Sequence, residues 1–288
     1  MTFRPIRKAI FPVAGLGTRL LPATKGIPKE MLTVVDRPLI QYAVDEAREA
    51  GIEQMIFVTG RGKSSLIDYF DVGFELEAVM ERAGKSLDAL ERARTNFGEI
   101  VAVRQQRPLG LGHAVWCARH IVGDEAFAVL LPDDLMVGAP GALKQMVDAY
   151  ATLGGNIVCA TEVPADKTAS YGIITPGAAK GRATEVLGLV EKPAPADAPS
   201  RLGVVGRYIL QPEVMAILDR GEPGAGGEIQ LTDAMAGLIG QQAFNAINVD
   251  AVRHDCGDKA GFVLANLALA LDRPDIAPQI EEYLASRR

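Results

Sequence analysis

The stretch FPVAGLGTRLLPATKGIPKEML, residues 11–32, joins an apolar run to a glycine turn that is followed by Arg19, Lys25 and Lys29. Backbone N–H groups of a glycine turn form a concave site for an anion, and cations beyond it can neutralise further charge. The stretch therefore predicts a strand followed by a loop that binds a chain of phosphate groups.

Similar apolar runs recur along the first half of the chain. They begin near Lys8, Gln54, Glu99, Ala126 and Asn156. Their continuous rather than alternating apolar character indicates strands buried on both faces. Helical patterns lie between them, and repeated strand–helix units predict an α/β fold with a mixed, mainly parallel central sheet flanked by helices.

Three polar clusters follow these runs: residues 15–29, residues 105–113, and the pair Asp133 and Asp134. Ligands of such sheets bind beyond the carboxyl ends of the strands. We therefore expect all three clusters on one edge of the sheet. The apolar helical stripes at 40–47, 76–90 and 143–150 are interpreted as ordinary core packing.

The composition limits the class of protein. The 288 residues are 48% hydrophobic and 23% charged, which suffices for a sizeable core. A formal net charge of -6 gives no long-range attraction to nucleic acid. No window approaches the roughly 20 apolar residues that cross a bilayer. We expect a soluble protein with neither a nucleic-acid nor a membrane partner.

The cysteines indicate a reducing compartment. Cys117, Cys159 and Cys256 lie far apart with no CxxC pair, which favours neither a disulfide framework nor a zinc site. The basic N-terminus carries only a short apolar run that leads into a glycine turn, unlike a signal peptide. A cytoplasmic protein is expected.

Two phosphate-binding motifs are excluded by their spelling. The turn Gly15–Leu20 lacks the third glycine of a dinucleotide-binding fingerprint, and Thr59–Arg61 offers no acid for a ribose. Gly62–Ser64 looks like the end of a Walker A loop, but Phe57 stands where its first glycine belongs. We interpret this second stretch as a loop or a helix start.

The whole first loop resembles the signature of the sugar-1-phosphate nucleotidylyltransferases, in which a G-x-G-T-R-L turn precedes a lysine. Its spelling is similar to that of the bacterial members that use UTP and glucose 1-phosphate. The resemblance extends from Ala9 to about Leu271 and implies a Rossmann-like three-layer nucleotidyltransferase fold. It further implies nucleotide binding by a set in the first loop: Ala14, Gly15, Gly17, Thr18 and Glu30.

The stretch QQRPLGLGHA, residues 105–114, resembles the base-reading loop of that family. Gln105 and Gly110 stand at the family's spacing and are implied to bind the pyrimidine. An amide offers both a donor and an acceptor to the imide edge of uracil. His113 and His254 are interpreted as structural donors rather than acid or base catalysts.

Two carboxylates are implied to hold Mg²⁺. Asp133 follows a buried strand, and Asp255 holds the matching place in HDCGDK, where Asp258 is an alternative. Magnesium usually takes one or two protein carboxylates beside substrate phosphates. Asp134 is expected to serve as the N-cap of a following helix.

The sugar side rests on three further motifs. Glu191-Lys192-Pro193 resembles the family's E-K-P motif, in which the acid binds sugar hydroxyls and the lysine binds the sugar phosphate. Gly172 and Glu228 complete this side by resemblance, although Glu228 can equally open a helix. Residues 193–200 are interpreted as a surface loop or lid.

The implied reaction joins UTP and glucose 1-phosphate into UDP-glucose and pyrophosphate by in-line displacement. Arg19 is assigned to the β,γ-phosphates, Lys29 to the α-phosphate and Lys192 to the sugar phosphate. Catalysis of this kind is mainly positioning and charge neutralisation. The alternatives are another nucleotide or sugar (dTTP, CTP or galactose 1-phosphate), or a non-catalytic regulator that binds sugar nucleotides.

We expect one domain of residues 1–288 that works as a homo-oligomer, a dimer or tetramer. Leu267, Leu271, Ile280 and Leu284 form an apolar face that suits a partner subunit as well as the core. The expected parts are a nucleotide-binding half at about 1–160, a sugar-phosphate-binding half at about 161–260, and C-terminal helices at about 259–288.

Overall fold

A computed structural model describes residues 3–287; residues 1, 2 and 288, which the predicted domain also includes, lie outside the described part. The described chain alternates strands and helices through its first half. The strands are β1 (Lys8–Pro12), β2 (Thr33–Val34), β3 (Arg37–Pro38), β4 (Gln54–Thr59), β5 (Ile100–Arg104), β6 (Phe127–Leu130), β7 (Asp134–Val137), β8 (Asn156–Glu162), β9 (Gly172–Lys180), β10 (Ala183–Glu191), β11 (Leu202–Leu210), β12 (Phe244–Ile247) and β13 (Val252–Asp255).

The helices cover both faces of the sheet that these strands form. They are α1 (Leu39–Glu49), α2 (Ser64–Asp68), α3 (Phe74–Arg82), α4 (Asp88–Glu91), α5 (Leu111–Cys117), α6 (Arg119–Val122), α7 (Ala142–Leu153), α8 (Val214–Leu218), α9 (Leu231–Ala236), α10 (Lys259–Leu271) and α11 (Ala277–Ala285). Within the described range, no helix is both long and apolar enough to cross a membrane.

The central sheet has nine strands in the order β5-β4-β1-β6-β11-β8-β12-β10-β9. The first four run parallel, as do β8 and β12. The remaining pairings are antiparallel. The predicted α/β fold with a mixed sheet is confirmed. Its parallel character is concentrated in the first half, because β9, β10 and β11 follow one another without a crossover helix between them.

The continuous apolar runs are strands buried on both faces, as expected. In β1, Phe11 belongs to one hydrophobic cluster and Ile10 to the cluster on the opposite face, and neither side chain is exposed. In β4, Phe57 and Ile56 divide in the same way. This double burial fixes the register of the strands that carry the first loop and its neighbours.

The apolar stripe at 76–90 was interpreted as core packing, and that interpretation was wrong. Helix α3 ends at Arg82, and the chain turns at Gly84 with a φ of 64° before the short α4. Leu76 and Val79 are each more than half exposed. The period of 3.6 residues shows that a helix has an apolar side, but it does not show that another element covers that side.

Candidate active site

The three polar clusters meet at the carboxyl edge of the parallel strands, as predicted. The loop after β1 is joined to β4 by the Val13 N–H, which donates to the carbonyl of Val58 at 3.0 Å. Gln105 follows β5, and its N–H donates to the carbonyl of Thr59 at 2.9 Å. β1 and β5, the parallel strands on either side of β4, therefore deliver the glycine loop and the Gln105 loop to the same edge of the sheet.

Lys29 closes the first loop onto the end of β6. Its Nζ lies 2.5 Å from Oδ2 of Asp133, and both side chains are mostly buried. Burial alone would lower the pKa of Lys29, but the carboxylates of Asp133 and Glu30 outweigh it and raise the pKa. Burial alone would raise the pKa of Asp133, yet the adjacent ammonium holds it below its usual value. Both groups are therefore charged at neutral pH.

The glycine turn is folded tightly over Lys29. Gly17 is left-handed, with a φ of 65°, and a Cβ there would lie 3.1 Å from the side chains of Lys29 and Thr24. The Thr24 hydroxyl donates to the carbonyl of Gly17 at 2.7 Å. Gly15 and Thr18 remain exposed and Ala14 partly exposed, so their backbone is accessible to a ligand.

Glu30 was predicted to bind the nucleotide, and the structure corrects this for its side chain. The side chain is fully buried, and Oε2 accepts a 2.7 Å hydrogen bond from Nζ of Lys63. Oε1 has no hydrogen-bond partner. Burial raises the pKa of Glu30 despite the cation of Lys63. Glu30 therefore anchors the loop from below, where a ligand cannot reach it.

Lys63 was missed by the sequence reasoning. It lies in the Gly62–Ser64 stretch, which was interpreted as a loop or helix start, and α2 does begin at Ser64. Its side chain is only 7% exposed. No local pattern in the sequence signals a lysine that turns inward to a carboxylate 33 residues away.

The two-stranded sheet of β7 and β13 brings the carboxylate of Asp255 close to that of Asp133. β13 pairs with β7 so that Asp255 lies opposite Asp134, next to Asp133. A Cβ built on Gly257 would lie 3.0 Å from Oδ1 of Asp255, 3.2 Å from Nη2 of Arg19 and 3.3 Å from Oδ2 of Asp133. The two carboxylates and the guanidinium thus converge on one point that only glycine leaves open.

The alternative carboxylate, Asp258, has another role. It is the N-cap of α10, and its Oδ1 accepts from the N–H of Gly261 at 2.9 Å. Its side chain still borders the cleft. The convergence point at Gly257 therefore favours Asp255 over Asp258 as the partner of Asp133.

Asp134 was expected to cap a helix, which was wrong because a strand, β7, begins there instead. It is nearly buried and accepts from the N–H of Gly206 at 2.8 Å and from Nε of Arg253 at 2.7 Å. Arg253 also lies 3.5 Å from Asp255 and donates to the Tyr171 hydroxyl at 3.0 Å. Arg253 was missed, although its position two residues before Asp255 on a strand predicts the same face.

The sugar-side motifs are assembled by the pairing of β9 with β10, which sets Glu191 opposite Gly172. A Cβ on Gly172 would lie 3.3 Å from Oε2 of Glu191, so glycine keeps this carboxylate accessible. Lys192 has a φ of 47°, and its N–H donates to the carbonyl of Tyr171 at 2.9 Å. Its Nζ lies 3.0 Å from Oε1 of Glu191. A left-handed non-glycine residue is strained, which is typical of functional sites.

One open cleft of about 620 Å³ connects the two sides. Among the residues predicted for the site, its lining includes Arg19, Asp133, Gly172, Glu191, Lys192, Glu228 and Asp255. Lys29 adjoins it through Asp133. The structure thus brings together residues that lie more than 230 positions apart in the sequence.

The Gln105 loop lies beside this cleft rather than in its lining. Gly110 has a φ of 106°, and a Cβ there would meet the carbonyl oxygen of Ile229 at 2.7 Å and Cβ of Glu228 at 2.8 Å. The Ile229 N–H donates to the carbonyl of Leu109 at 2.8 Å. The loop is therefore packed directly against the segment that carries Glu228, and α9 begins only later, at Leu231.

The donor set fits a hard divalent cation. Within residues 3–287 no cluster of three or more His, Cys, Asp or Glu side chains is arranged to hold a metal. Two converging carboxylates beside a glycine loop nevertheless match the one or two protein ligands that an ion such as Mg²⁺ usually takes, since such an ion obtains its remaining ligands from phosphates and water. Asp133 and Asp255 are therefore the pair suited to such an ion.

Comparison with known proteins identifies the family. The profile described as nucleotidyl transferase matches residues 8–270. The chain belongs to the nucleotidyl transferase family. A UTP–glucose-1-phosphate uridylyltransferase of Komagataeibacter xylinus is 53% identical over 258 residues, which cover 89% of this chain and 91% of that protein. The Bacillus subtilis enzyme of the same name is 45% identical over 98% of this chain and 97% of its own length.

Solved structures of the nucleotidyl transferase family agree with this fold. A UTP-bound UGPase from Acinetobacter baumannii superposes with a TM-score of 0.89 at 42% identity, covering 98% of this chain and 100% of that one. A UDP-glucose pyrophosphorylase complexed with UDP-glucose gives a TM-score of 0.84 at 42% identity, covering 93% and 100%. Enzymes of this family generally act with a divalent metal.

Proposed function

We propose that this protein transfers a uridylyl group from UTP to glucose 1-phosphate, producing UDP-glucose and pyrophosphate. The observation that carries the proposal is the convergence of Arg19, Asp133 and Asp255 beside Lys29, at the edge of a cleft that also contains Lys192. This arrangement offers cations and metal ligands for two phosphate groups. The full-length similarity to uridylyltransferases supports UTP and glucose 1-phosphate as the substrates.

On the nucleotide side, the backbone of Ala14–Thr18 binds the triphosphate, and Arg19 neutralises the β,γ-phosphates that leave as pyrophosphate. Lys29 stabilises the charge that develops at the α-phosphate. Its raised pKa keeps it cationic throughout the neutral range. Gln105 and Gly110 bind the base.

On the sugar side, Lys192 binds the phosphate of glucose 1-phosphate, and Glu191 and Glu228 accept hydrogen bonds from sugar hydroxyls. Gly172 leaves the space that a sugar ring needs next to Glu191, because any side chain there would meet the carboxylate and Thr232. Lys192 and Glu191 already contact each other, which holds the cation beside the expected ring.

Asp133 and Asp255 are the residues that would hold Mg²⁺. When bound, the ion would supply positive charge that neutralises the phosphates of the substrates. The protein's own contribution is to hold both carboxylates so that they converge on one point. Arg253 assists by lying 3.5 Å from the Asp255 carboxylate.

Catalysis needs no protein nucleophile. A phosphate oxygen of glucose 1-phosphate attacks the α-phosphorus of UTP in line as the bond to pyrophosphate breaks. Burial raises the pKa of Cys159 and of Cys256 to about 12, and it also raises the pKa of Cys117. None of these thiols is therefore a ready thiolate. Labelled pyrophosphate should not exchange into UTP when no sugar phosphate is present; exchange would demand a uridylyl-enzyme.

The test is pyrophosphate release across UTP, dTTP, CTP and ATP, each with the 1-phosphates of glucose, galactose and N-acetylglucosamine. We expect one dominant signal, at UTP with glucose 1-phosphate, that is abolished by EDTA and restored by Mg²⁺. A dominant signal with another combination of nucleotide and sugar 1-phosphate would identify that pair as the substrates instead. Ligand binding without any turnover would indicate the regulatory alternative.

We further propose a homo-oligomer, a dimer or tetramer, in the cytoplasm. Helices α10 and α11 leave Val263, Leu264 and Tyr283 more than half exposed and Leu284 39% exposed. Such a patch is typical of a subunit contact. Light scattering should give a multiple of 30.6 kDa. A monomer at micromolar concentration would contradict the oligomer.

A further inference from the structure

The side-chain amide of Gln105 is held in one orientation. Its Nε2 donates to the carbonyl of Gly110 at 3.0 Å and lies 3.0 Å from Nδ1 of His113. A backbone carbonyl can only accept, so the amide nitrogen, not its oxygen, must face Gly110. The orientation therefore follows from the chemistry of the partners and does not depend on how the amide is assigned.

The contact with Gln105 also defines the protonation state of His113. Because Nε2 of Gln105 donates, Nδ1 of His113 must accept, which requires a neutral ring with its proton on Nε2. Burial and the charge of Arg119 lower the pKa of His113, which favours the neutral ring. His113 is thus an acceptor in this contact, whereas the sequence suggested a donor.

The imidazole is held in place by its own helix. It stacks on Trp116 at 5.6 Å between ring centroids with an angle of 27°. Trp116 is fixed in turn by a 2.9 Å hydrogen bond from Nε1 to Asp219 and by the guanidinium of Arg119, 3.5 Å above the indole. Nδ1 is therefore presented at a defined point beside the loop.

This arrangement uses both N–H donors of the Gln105 amide, and within residues 3–287 its oxygen has no hydrogen-bond partner. An acceptor there can take the N3–H of uracil or thymine. Cytosine presents a lone pair at N3, so two acceptors would face each other. An unpaired or opposed polar group in a binding site is more costly than a missing contact.

We propose that His113 is a positioning residue for base specificity, which fixes the Gln105 amide so that the site accepts imide bases and rejects cytosine. The inference rests on the proposed reading of the base by Gln105. The preference for UTP over CTP therefore depends on His113. The preference for UTP over dTTP does not, because uracil and thymine both carry the N3–H.

The test compares two replacements of His113. His113→Phe keeps a flat ring against Trp116 but removes the acceptor, and His113→Asn keeps an acceptor at the position of Nδ1. Titration calorimetry would give the dissociation constants of UTP, CTP and dTTP, and pyrophosphate release with glucose 1-phosphate would give kcat and KM. If the Phe variant does not fold, His113→Leu serves as the acceptor-free variant.

In the acceptor-free variant we expect the ratio of UTP to CTP affinity to fall at least about tenfold. A change of that size is the typical energetic effect of one hydrogen bond. The loss should appear in KM for UTP, with kcat and the UTP/dTTP ratio changed less than about threefold. His113→Asn should retain most of the UTP/CTP ratio. A folded acceptor-free variant with an unchanged ratio, or an Asn variant as impaired as the Phe variant, would overturn the proposal.

Binding separates this inference from the proposed reaction. If the wild-type protein releases no pyrophosphate but His113→Phe still lowers the UTP/CTP binding ratio, the reaction fails and the inference stands. If turnover is normal and the ratio does not change, the reaction stands and the inference fails. Gln105→Leu is the matched control, since it removes the free oxygen itself and should lower the same ratio.

Discussion

At the scale of single residues, the fold positions the two lysines of the candidate site in different ways. Lys29 is largely withdrawn from water, which alone would favour its neutral form, and the carboxylate of Asp133 reverses that preference. Lys192 is more exposed and is fixed instead by a strained backbone and by Glu191. The two lysines are therefore held in place by different physical means.

We predict that Lys29→Ala and Lys192→Ala each lower kcat by about a hundred- to a thousandfold while the protein stays folded, the usual cost of one preorganised contact in phosphoryl transfer. Steady-state pyrophosphate release and circular dichroism would measure the two effects. Lys144→Ala, on the exposed side of α7, is the control and should be near normal. Near-normal turnover of a folded Lys192→Ala variant would remove its assigned role.

The buried pair of Glu30 and Lys63 gives a prediction about stability. Lys63→Met leaves a buried carboxylate without its counter-charge, which should lower the free energy of unfolding by about 3–5 kcal/mol. Replacing both partners with apolar residues, as in Glu30→Leu with Lys63→Met, should recover most of the loss. Urea unfolding measures both; a loss below about 1 kcal/mol in the single variant would contradict the prediction.

The same variant should respond to pH. The folded-state pKa of Glu30 is already raised by burial, and without Lys63 it rises further. A raised carboxyl pKa gives stability that is present below the unfolded-state pKa and is lost as pH increases through the folded-state pKa. The loss caused by Lys63→Met should therefore be larger at pH 8 than at pH 5, which unfolding curves at both values would show.

At the scale of elements, the Gln105 loop packs directly against the segment that carries Glu228. The Gln105 loop and the segment before α9 contact each other through backbone atoms at Gly110 and Gly112, where any Cβ would lie within 2.8 Å of the Ile229 carbonyl oxygen. The Gly112 N–H also donates to that carbonyl at 2.9 Å. Glycine is needed here for proximity as well as for conformation.

Gly110→Ala should therefore raise KM for UTP by at least about tenfold. A strained φ costs about 1–3 kcal/mol, and the collision of the new Cβ with the Ile229 carbonyl oxygen also displaces the Gln105 loop. Gly123→Ala is the matched control: its φ is 64°, but a Cβ there meets nothing within 4 Å. Kinetics on both variants would separate strain from collision. Equal effects on KM would show that the close approach is not important.

At the scale of the whole molecule, a buried ion pair ties the two predicted halves together. Arg207 on β11 donates through Nε and Nη2 to Glu46 on α1, at 3.0 and 2.7 Å. Glu46 also accepts from the Leu143 N–H at 2.9 Å, at the start of α7. One carboxylate thus links the central sheet to two helices on one face.

Arg207→Met should lower the free energy of unfolding by about 3–5 kcal/mol, because Glu46 would remain buried without its partner. Arg182→Met is the control, since its pair with Asp250 is exposed and should contribute at most about 1 kcal/mol. Denaturant titration of both variants would test the contrast. A cost for Arg207→Met as small as that of the control would contradict the coupling.

The elements with a strong local signal could be predicted from the sequence. Continuous apolar runs predicted β1, β4, β5, β6 and β8, and the C-terminal helices expected at about 259–288 are α10 and α11. The failures came where the local signal does not include the surroundings. The stripe at 76–90 has a helical period but lacks a covering element, and Asp134 begins a strand where a helix was expected.

The sequence by itself determined the buried strands of the first half of the chain and the polar clusters that follow β1, β5 and β6, because the hydrophobic period and the turn residues act over a few positions. It also carried the motif spellings that identify the family. Only the tertiary structure decided which of these groups meet: Asp255 with Asp133 and Arg19, Lys63 with Glu30, and His113 with the Gln105 amide. Those choices depend on burial and on which atoms can donate or accept, and neither is defined until distant segments pack together.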